Sequence, residues 1–159
     1  MTLTTPVLSY RTIDLVEDAE RAVAHHRDAC ICSFGDEARF QGRKRYLRWL
    51  EPKIEEFPDG FLMAFVGERC VGQLELEVPY GLTRGYVNLF YVTEQFRGMG
   101  FGRALHRRAV EYFKSWEANQ IQLHCSPTNL RALGFYRSLG YRTTERSADG
   151  SLWEMSKTI

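Results

Sequence analysis

The apolar positions change period along the chain, and each change predicts an element. Val7 to Ile13 predicts a first strand. Asp14 reads as a helix N-cap with Glu17 as its capping-box partner, and Leu15, Ala19, Ala22, Val23 and Ala29 support a helix to about Cys32. Ser33-Phe34-Gly35-Asp36 breaks it. Tyr46, Leu47, Leu50, Ile54 and Phe57 lie at helical spacing and predict a second helix over Glu37 to Phe57. After the turn Pro58-Asp59-Gly60, Phe61 to Val66 and Cys70 to Val78 predict a hairpin joined by Gly67-Glu68-Arg69. In its second strand Gln73, Glu75 and Glu77 share one face, and Leu74, Leu76 and Val78 the other. Tyr86 to Val92 is an apolar run that reads as a buried strand. Phe101, Leu105, Ala109, Tyr112, Phe113 and Trp116 then make an apolar stripe, with His106, Arg107, Arg108, Glu111 and Lys114 around the rest, which predicts an amphipathic helix to near Asn119. Ile121 to Cys125 is a short buried strand, Asn129 to Leu139 a helix stopped by Gly140, and Tyr141 to Arg146 with Leu152 to Lys157 a closing hairpin. The order β-α-α-β-β-β-α-β-α-β-β predicts an α/β fold whose sheet is covered on both faces.

Composition narrows this picture. The chain has 159 residues, 44% hydrophobic and 26% charged, which suits one packed domain over residues 1–159. A formal net charge of +1 gives no argument for binding nucleic acid or a membrane surface. No apolar run is long enough to span a bilayer, and Met1 to Pro6 lacks a signal-peptide pattern, so the expected location is the cytoplasm. Cys30, Cys32, Cys70 and Cys125 make no C-x-x-C pair, have no zinc spacing, and read as buried reduced thiols; no metal is expected. Cys125 follows His124, but neighbours on a strand point to opposite faces and cannot act on each other. Arg39, Arg43, Lys44, Arg45 and Arg48 form a basic stretch without an intervening acid, either a groove for an anion or a solvated face with helical ion pairs.

Chemistry concentrates between the Tyr86–Val92 strand and the helix that follows. Gly98, Gly100 and Gly102 occupy alternate positions in a strand-to-helix turn. Glycine permits unusual dihedrals and close approach, and a helix start offers free N–H groups and a positive dipole end. Together these make an anion site, most often for phosphate. The stretch lacks the Gly-Lys of a P-loop, and its G-x-G-x-G spacing departs from a dinucleotide G-x-G-x-x-G turn.

Arg97-Gly98-Met99-Gly100-Phe101-Gly102 resembles the Arg-x-x-Gly-x-Gly signature of the GCN5-related N-acetyltransferase (GNAT) family. Asn129, Ala132, Phe135, Tyr136, Gly140 and Tyr141 fall in register with a second fingerprint of that family, and the element order also resembles it. The resemblance implies a mixed sheet of about seven strands. It implies acetyl-CoA as co-substrate and transfer of acetyl to a primary amine of a small molecule or protein by direct attack within a ternary complex. It implies backbone contacts to the thioester from Phe90, Tyr91 and Val92 along a bulged strand, and a diphosphate held by the N–H groups of residues 98–103, with Arg97 or Arg103 adding charge. Asn129 would face the pantetheine amides or simply cap its helix. Tyr136 would be the general acid for the departing sulfur. No fixed base belongs to the family; Glu75 and Glu77 are candidates, and a water chain is another. Gly134, in mid-helix, predicts close approach by the cofactor or by a neighbouring strand. Two alternatives stay open: a non-catalytic acyl-CoA-binding module, or an acyltransferase with another acyl group or acceptor. The oligomeric state is open as well, a homodimer being one option.

Overall fold

Hydrogen-bonded pairing gathers the apolar runs into one sheet. A computed structural model describes residues 7–159; the leader reading at residues 1–6 lies outside them. The strands are β1 (Ser9–Thr12), β2 (Phe61–Val66), β3 (Arg69–Glu77), β4 (Arg84–Val92), β5 (Gln120–Cys125), β6 (Arg142–Arg146) and β7 (Trp153–Thr158). The helices are α1 (Ala19–Phe34), α2 (Arg43–Glu56), α3 (Phe101–Ser115) and α4 (Leu130–Ser138). The sheet order is β1-β2-β3-β4-β5-β7-β6. Every pairing is antiparallel except β4 with β5, which α3 joins as the crossover a parallel pair requires.

Strand alternation feeds two cores. Leu62, Ala64, Leu74, Leu76, Val87, Ile121 and Leu123 meet Leu105, Ala109 and Phe113 of α3 and Leu133 and Tyr136 of α4. Phe61 and Met63 point the other way and meet Ala22 and Val23 of α1 and Tyr46 and Leu50 of α2. Burying each large aliphatic side chain contributes about 1.5–3 kcal/mol. At Gly85 an added Cβ would lie 2.1 Å from the Phe113 ring, so the β4–α3 contact needs glycine there. Among the described residues no helix is long and apolar enough to cross a membrane.

Several boundaries differ from the sequence reading. α1 begins after Asp18, not Asp14. Asp14 instead accepts the Val16 N–H in a local turn (2.8 Å), while the buried Asp18 carboxylate accepts from Arg11 (2.5 and 2.7 Å), Arg21 (3.0 Å) and the Asp14 N–H (2.9 Å). α2 begins at Arg43 because Gly42 has φ 96°, outside any helix. Arg39 therefore sits in a loop against Phe34, and Arg43 pairs with Glu20 (2.6 Å). α3 stops at Ser115; Trp116 is 47% exposed, and the chain turns away through Glu117 at φ 58°. His106, read as surface decoration, is buried and hydrogen-bonded through Nε2 to Tyr141 Oη (2.9 Å). Beyond the backbone of its own helix, a Cβ on Gly134 would meet none of the described residues within 4 Å, so no strand explains that glycine.

Candidate active site

The site grows from one irregularity in β4. Its register against β3 passes from Leu89 opposite Glu75 to Val87 opposite Leu76, leaving Asn88 as an extra residue. Such a bulge bends its strand and increases the local twist. β4 and β5 consequently pair only from Arg84–Gln120 to Val87–Leu123, although β4 continues to Val92 and β5 to Cys125. Beyond that pair the two parallel strands fork. A cleft of about 630 Å³ lies along the open edge of β4, and Phe90, Tyr91 and Val92 line it.

The glycine turn closes one end of the cleft. Gly98 (φ 77°) and Gly100 (φ 88°) hold left-handed conformations that favour glycine. Gly100 precedes α3, and no side chain caps that helix, so its first-turn N–H groups stay free. A Cβ on Gly98 would meet nothing within 4 Å, which leaves open space beside the backbone. Gly102 does a different job: its Cβ would lie 3.2 Å from the Phe135 ring, so glycine lets α4 close against α3. Met99 is 59% exposed, and Phe101 is buried with its ring edge-on to Phe96; neither side chain lines the cleft.

The two arginines of the turn divide the work. Arg97 donates from Nε to the Val92 carbonyl (2.8 Å) and from a terminal nitrogen to Asp28 of α1 (2.9 Å). Tyr91 also donates to Asp28 (2.5 Å), so one carboxylate ties α1, β4 and the turn together. Arg97 thus serves geometry first. Arg103 lines the cleft with only a long contact to Ser138 Oγ (3.4 Å), and Arg131 of α4 also lines it. Neither has a carboxylate partner among the described residues. None of the five basic residues around α2 reaches the cleft.

α4 supplies the opposite wall. Asn129 caps it, accepting the Ala132 N–H at Oδ1 (3.2 Å), and lines the cleft as well, so both readings of this residue hold in its placement. Tyr136 packs edge-on to Phe90 (6.2 Å) and against Tyr141 (5.4 Å). It lines the cleft, and its hydroxyl makes no hydrogen bond to any described residue. Burial pushes that phenol above the ordinary tyrosine range, with Cys125 and Tyr141 adding to the shift.

The carboxylates proposed as bases lie elsewhere. Glu75 is 2% exposed beneath α2, accepting from Tyr46 Oη and from Gln73 Nε2 (2.8 Å); His25 Nδ1 in turn donates to Gln73 Oε1 (2.9 Å). Burial pushes the Glu75 carboxyl up to about 7 despite those hydrogen bonds. Glu77 pairs with Lys53 (2.9 Å) and accepts from the bulged Asn88 (2.9 Å). Neither glutamate lines the cleft. The polar face of β3 is therefore largely covered by α1 and α2 rather than by solvent.

Sequence reasoning missed several cleft residues. Ala29, Cys32 and Ser33 reach it from the last turns of α1, where no motif marks them. Cys32 is exposed there and Cys70 half-buried, so only Cys30 and Cys125 match the expected buried thiols. Arg131 and Phe135 were within reach, since they lie between Asn129 and Tyr136 in the second fingerprint segment.

Comparison with known proteins agrees with this geometry. A model described as the acetyltransferase (GNAT) family matches residues 21–141. N-alpha-acetyltransferase 30 of Xenopus laevis is 28% identical over 96 residues, 58% of this chain and 35% of its own length. The chain thus spans about a third of that relative. Among solved structures, Ard1 from Thermoplasma volcanium superposes with a TM-score of 0.76 at 21% identity, over 96% of this chain and 97% of its own. The PaiA N-acetyltransferase from Thermoplasma acidophilum, in complex with coenzyme A, gives 0.75 at 18% identity, over 96% and 99%. At such identities the two structures speak for the fold. With the forked strands, the glycine turn and the phenol of α4 on one cleft, and a family match over most of its length, the chain belongs to the GNAT acetyltransferase family.

Proposed function

We propose that the protein is an N-acetyltransferase that uses acetyl-CoA and acetylates a primary amine by direct attack in a ternary complex. The observation that carries this reading is the cleft itself, where an unpaired strand edge, an uncapped helix start and an unpartnered phenol converge. The residues present fit the co-substrate. Open space beside Gly98 and the free first-turn N–H groups suit a diphosphate, and Arg103 and Arg131 add positive charge at the rim. The PaiA relative carries coenzyme A, which supports the same ligand here.

Bound acetyl-CoA would supply an activated acyl group. The chain's own residues then have distinct tasks. Backbone groups of Phe90 to Val92, unpaired by β5, hold the pantetheine arm and offer hydrogen bonds to a carbonyl oxygen as charge develops on it. Tyr136 holds a proton at Oη, kept there by burial, and releases it to the departing sulfur. The relative named N-alpha-acetyltransferase favours the α-amine of a peptide as acceptor.

The test is thiol release from acetyl-CoA with peptides bearing free α-amines and with spermidine. Tyr136→Phe is expected to lower kcat by about 10²-fold, the lower range for general acid catalysis. Binding of coenzyme A without any acetyl transfer would point to a non-catalytic acyl-CoA module. Wild-type rates retained by Tyr136→Phe would remove the phenol from the chemistry.

A further inference from the structure

The end of α1 crosses the mouth of the fork and is held on both sides of it. On the β4 side, Asp28 accepts from Tyr91 Oη (2.5 Å) and from Arg97 (2.9 Å). The Tyr91 ring packs against His25 of α1 (centroids 4.7 Å) and under the Arg97 guanidinium (5.4 Å). On the β5 side, Thr128 in the connection to α4 donates from Oγ1 to the Ser33 carbonyl (2.9 Å). That carbonyl is among the last of α1, which find no partner inside the helix. Ser126 Oγ lies 2.7 Å from Thr128 Oγ1 and accepts the Thr128 N–H (3.3 Å), which fixes the hydroxyl. The two anchors lie about 7.5 Å apart along the helix axis. Ala29 and Cys32, between them, line the cleft with Ser33.

The β4 anchor also reaches the open strand edge. Thr93 donates its N–H to Val71 of β3 (2.9 Å), so the Val92 carbonyl of the same trans peptide points the other way, into the fork. Arg97 Nε takes that carbonyl (2.8 Å) while the guanidinium binds Asp28, so one carboxylate sets the direction of Arg97 and neutralises its charge. Burial acts to raise the Asp28 carboxyl, but the hydrogen bonds from Tyr91 and Arg97 outweigh it and hold the group below the usual carboxylate range. At neutral pH it is an ionised acceptor for both donors. Neither Asp28 nor Thr128 lines the cleft itself.

We propose that Asp28 and Thr128 are positioning residues that clasp the last turns of α1 across the fork and so hold the coenzyme A site in its binding-competent form. This rests on the coenzyme A part of the acetyltransfer reading above. The pantetheine arm and the diphosphate belong to one ligand, so the β4 edge, the glycine turn and the start of α4 must keep a fixed separation to meet both. The clasp fixes it. Releasing an anchor leaves a smaller fraction of molecules with the site formed, and the apparent Kd rises by the inverse of that fraction. Saturating acetyl-CoA draws the population back to the formed site. KM therefore rises while kcat holds.

The experiment measures coenzyme A binding by titration calorimetry, and KM and kcat for acetyl-CoA with free α-amine peptides and with spermidine. Asp28→Asn keeps the shape of the side chain but leaves one acceptor oxygen and no charge. It should raise Kd and KM about 10-fold and change kcat by less than about twofold. Thr128→Val should raise Kd about threefold, the lower range for one hydrogen bond, and Thr128→Ser, which keeps the hydroxyl, should bind as the wild type does. Thr128 is exposed, so its variants carry the test even where Asp28→Asn lowers stability. An unchanged Kd in Asp28→Asn and Thr128→Val, beside a wild type that binds coenzyme A, overturns the clasp and leaves the acetyltransfer reading standing. Tighter binding by Asp28→Asn overturns it too, since Asp28 would then be holding Arg97 away from a phosphate. So does a fall in kcat at constant KM, which would put these residues in the chemical step. Absence of coenzyme A binding by the wild type overturns the acetyltransfer reading and the clasp with it.

Discussion

Tyr136 and Glu75 show how one physical effect gives two residues different uses. Burial raises both, but the phenol lines the cleft with no hydrogen-bond partner, whereas the carboxyl is enclosed by Tyr46 and Gln73. The Glu75 carboxyl titrates at about 7 in the fold against an ordinary 4.5. The folded state therefore holds more protons than the unfolded chain between those values, and stability falls as pH rises through that window. The effect amounts to roughly 2–3 kcal/mol. Urea unfolding at pH 5 and pH 8 should show the wild type losing stability at the higher pH relative to Glu75→Gln, with the difference shrinking near pH 5. A difference that widens toward acid would mean that Glu75 is an ordinary ionised carboxylate. At this scale the glycine turn was legible, because φ near 80° is a demand the residue type itself advertises. Arg97 was legible as a motif member but not in its role, since its partner Asp28 is 69 residues away.

Among elements, β4 carries the most consequence. Its Asn88 bulge opens the fork, and its first half is clamped to α3 where Gly85 meets Phe113. A methyl group there would lie 2.1 Å from the ring, far inside contact distance. Gly85→Ala should destabilise the protein by about 3 kcal/mol or more, the upper range for overpacking a core, read as a drop in denaturant midpoint. Phe113→Leu in the same chain should recover part of the loss by vacating the space. The order of elements followed from their periods, and all seven strands and four helices occur where apolar runs predicted them. The starts of α1 and α2 did not follow. Asp14 and Asp18 are equivalent as N-cap candidates by residue type, and only the arginines at 11 and 21 separate their uses. Likewise the strand period puts Gln73 and Glu75 on one face, but only the packing of α1 and α2 buries them there.

For the molecule as a whole, ligand binding and stability are linked. A ligand at about 100 times its Kd adds about 2.7 kcal/mol. In a chain of this size 1 kcal/mol moves Tm by about 2–4 °C, so saturating coenzyme A should raise it by roughly 5–10 °C. Gly100→Val forces a branched side chain into φ 88° at the start of α3. It should abolish the thermal shift while leaving a folded protein, seen as an unchanged far-ultraviolet circular dichroism spectrum. A full shift in that variant would move the anion site elsewhere.

The sequence by itself determined the class of fold, the succession of elements, the strained glycines before α3 and the phenol of α4. These are local properties: a period, a dihedral preference, a short motif. The tertiary structure decided the strand order, the fork between β4 and β5, the burial of Glu75, and the meeting of Asp28 with Tyr91 and Arg97. A pattern records which side of an element is apolar. Which element covers that side, and which polar groups then face one another, depends on contacts between residues far apart in the chain.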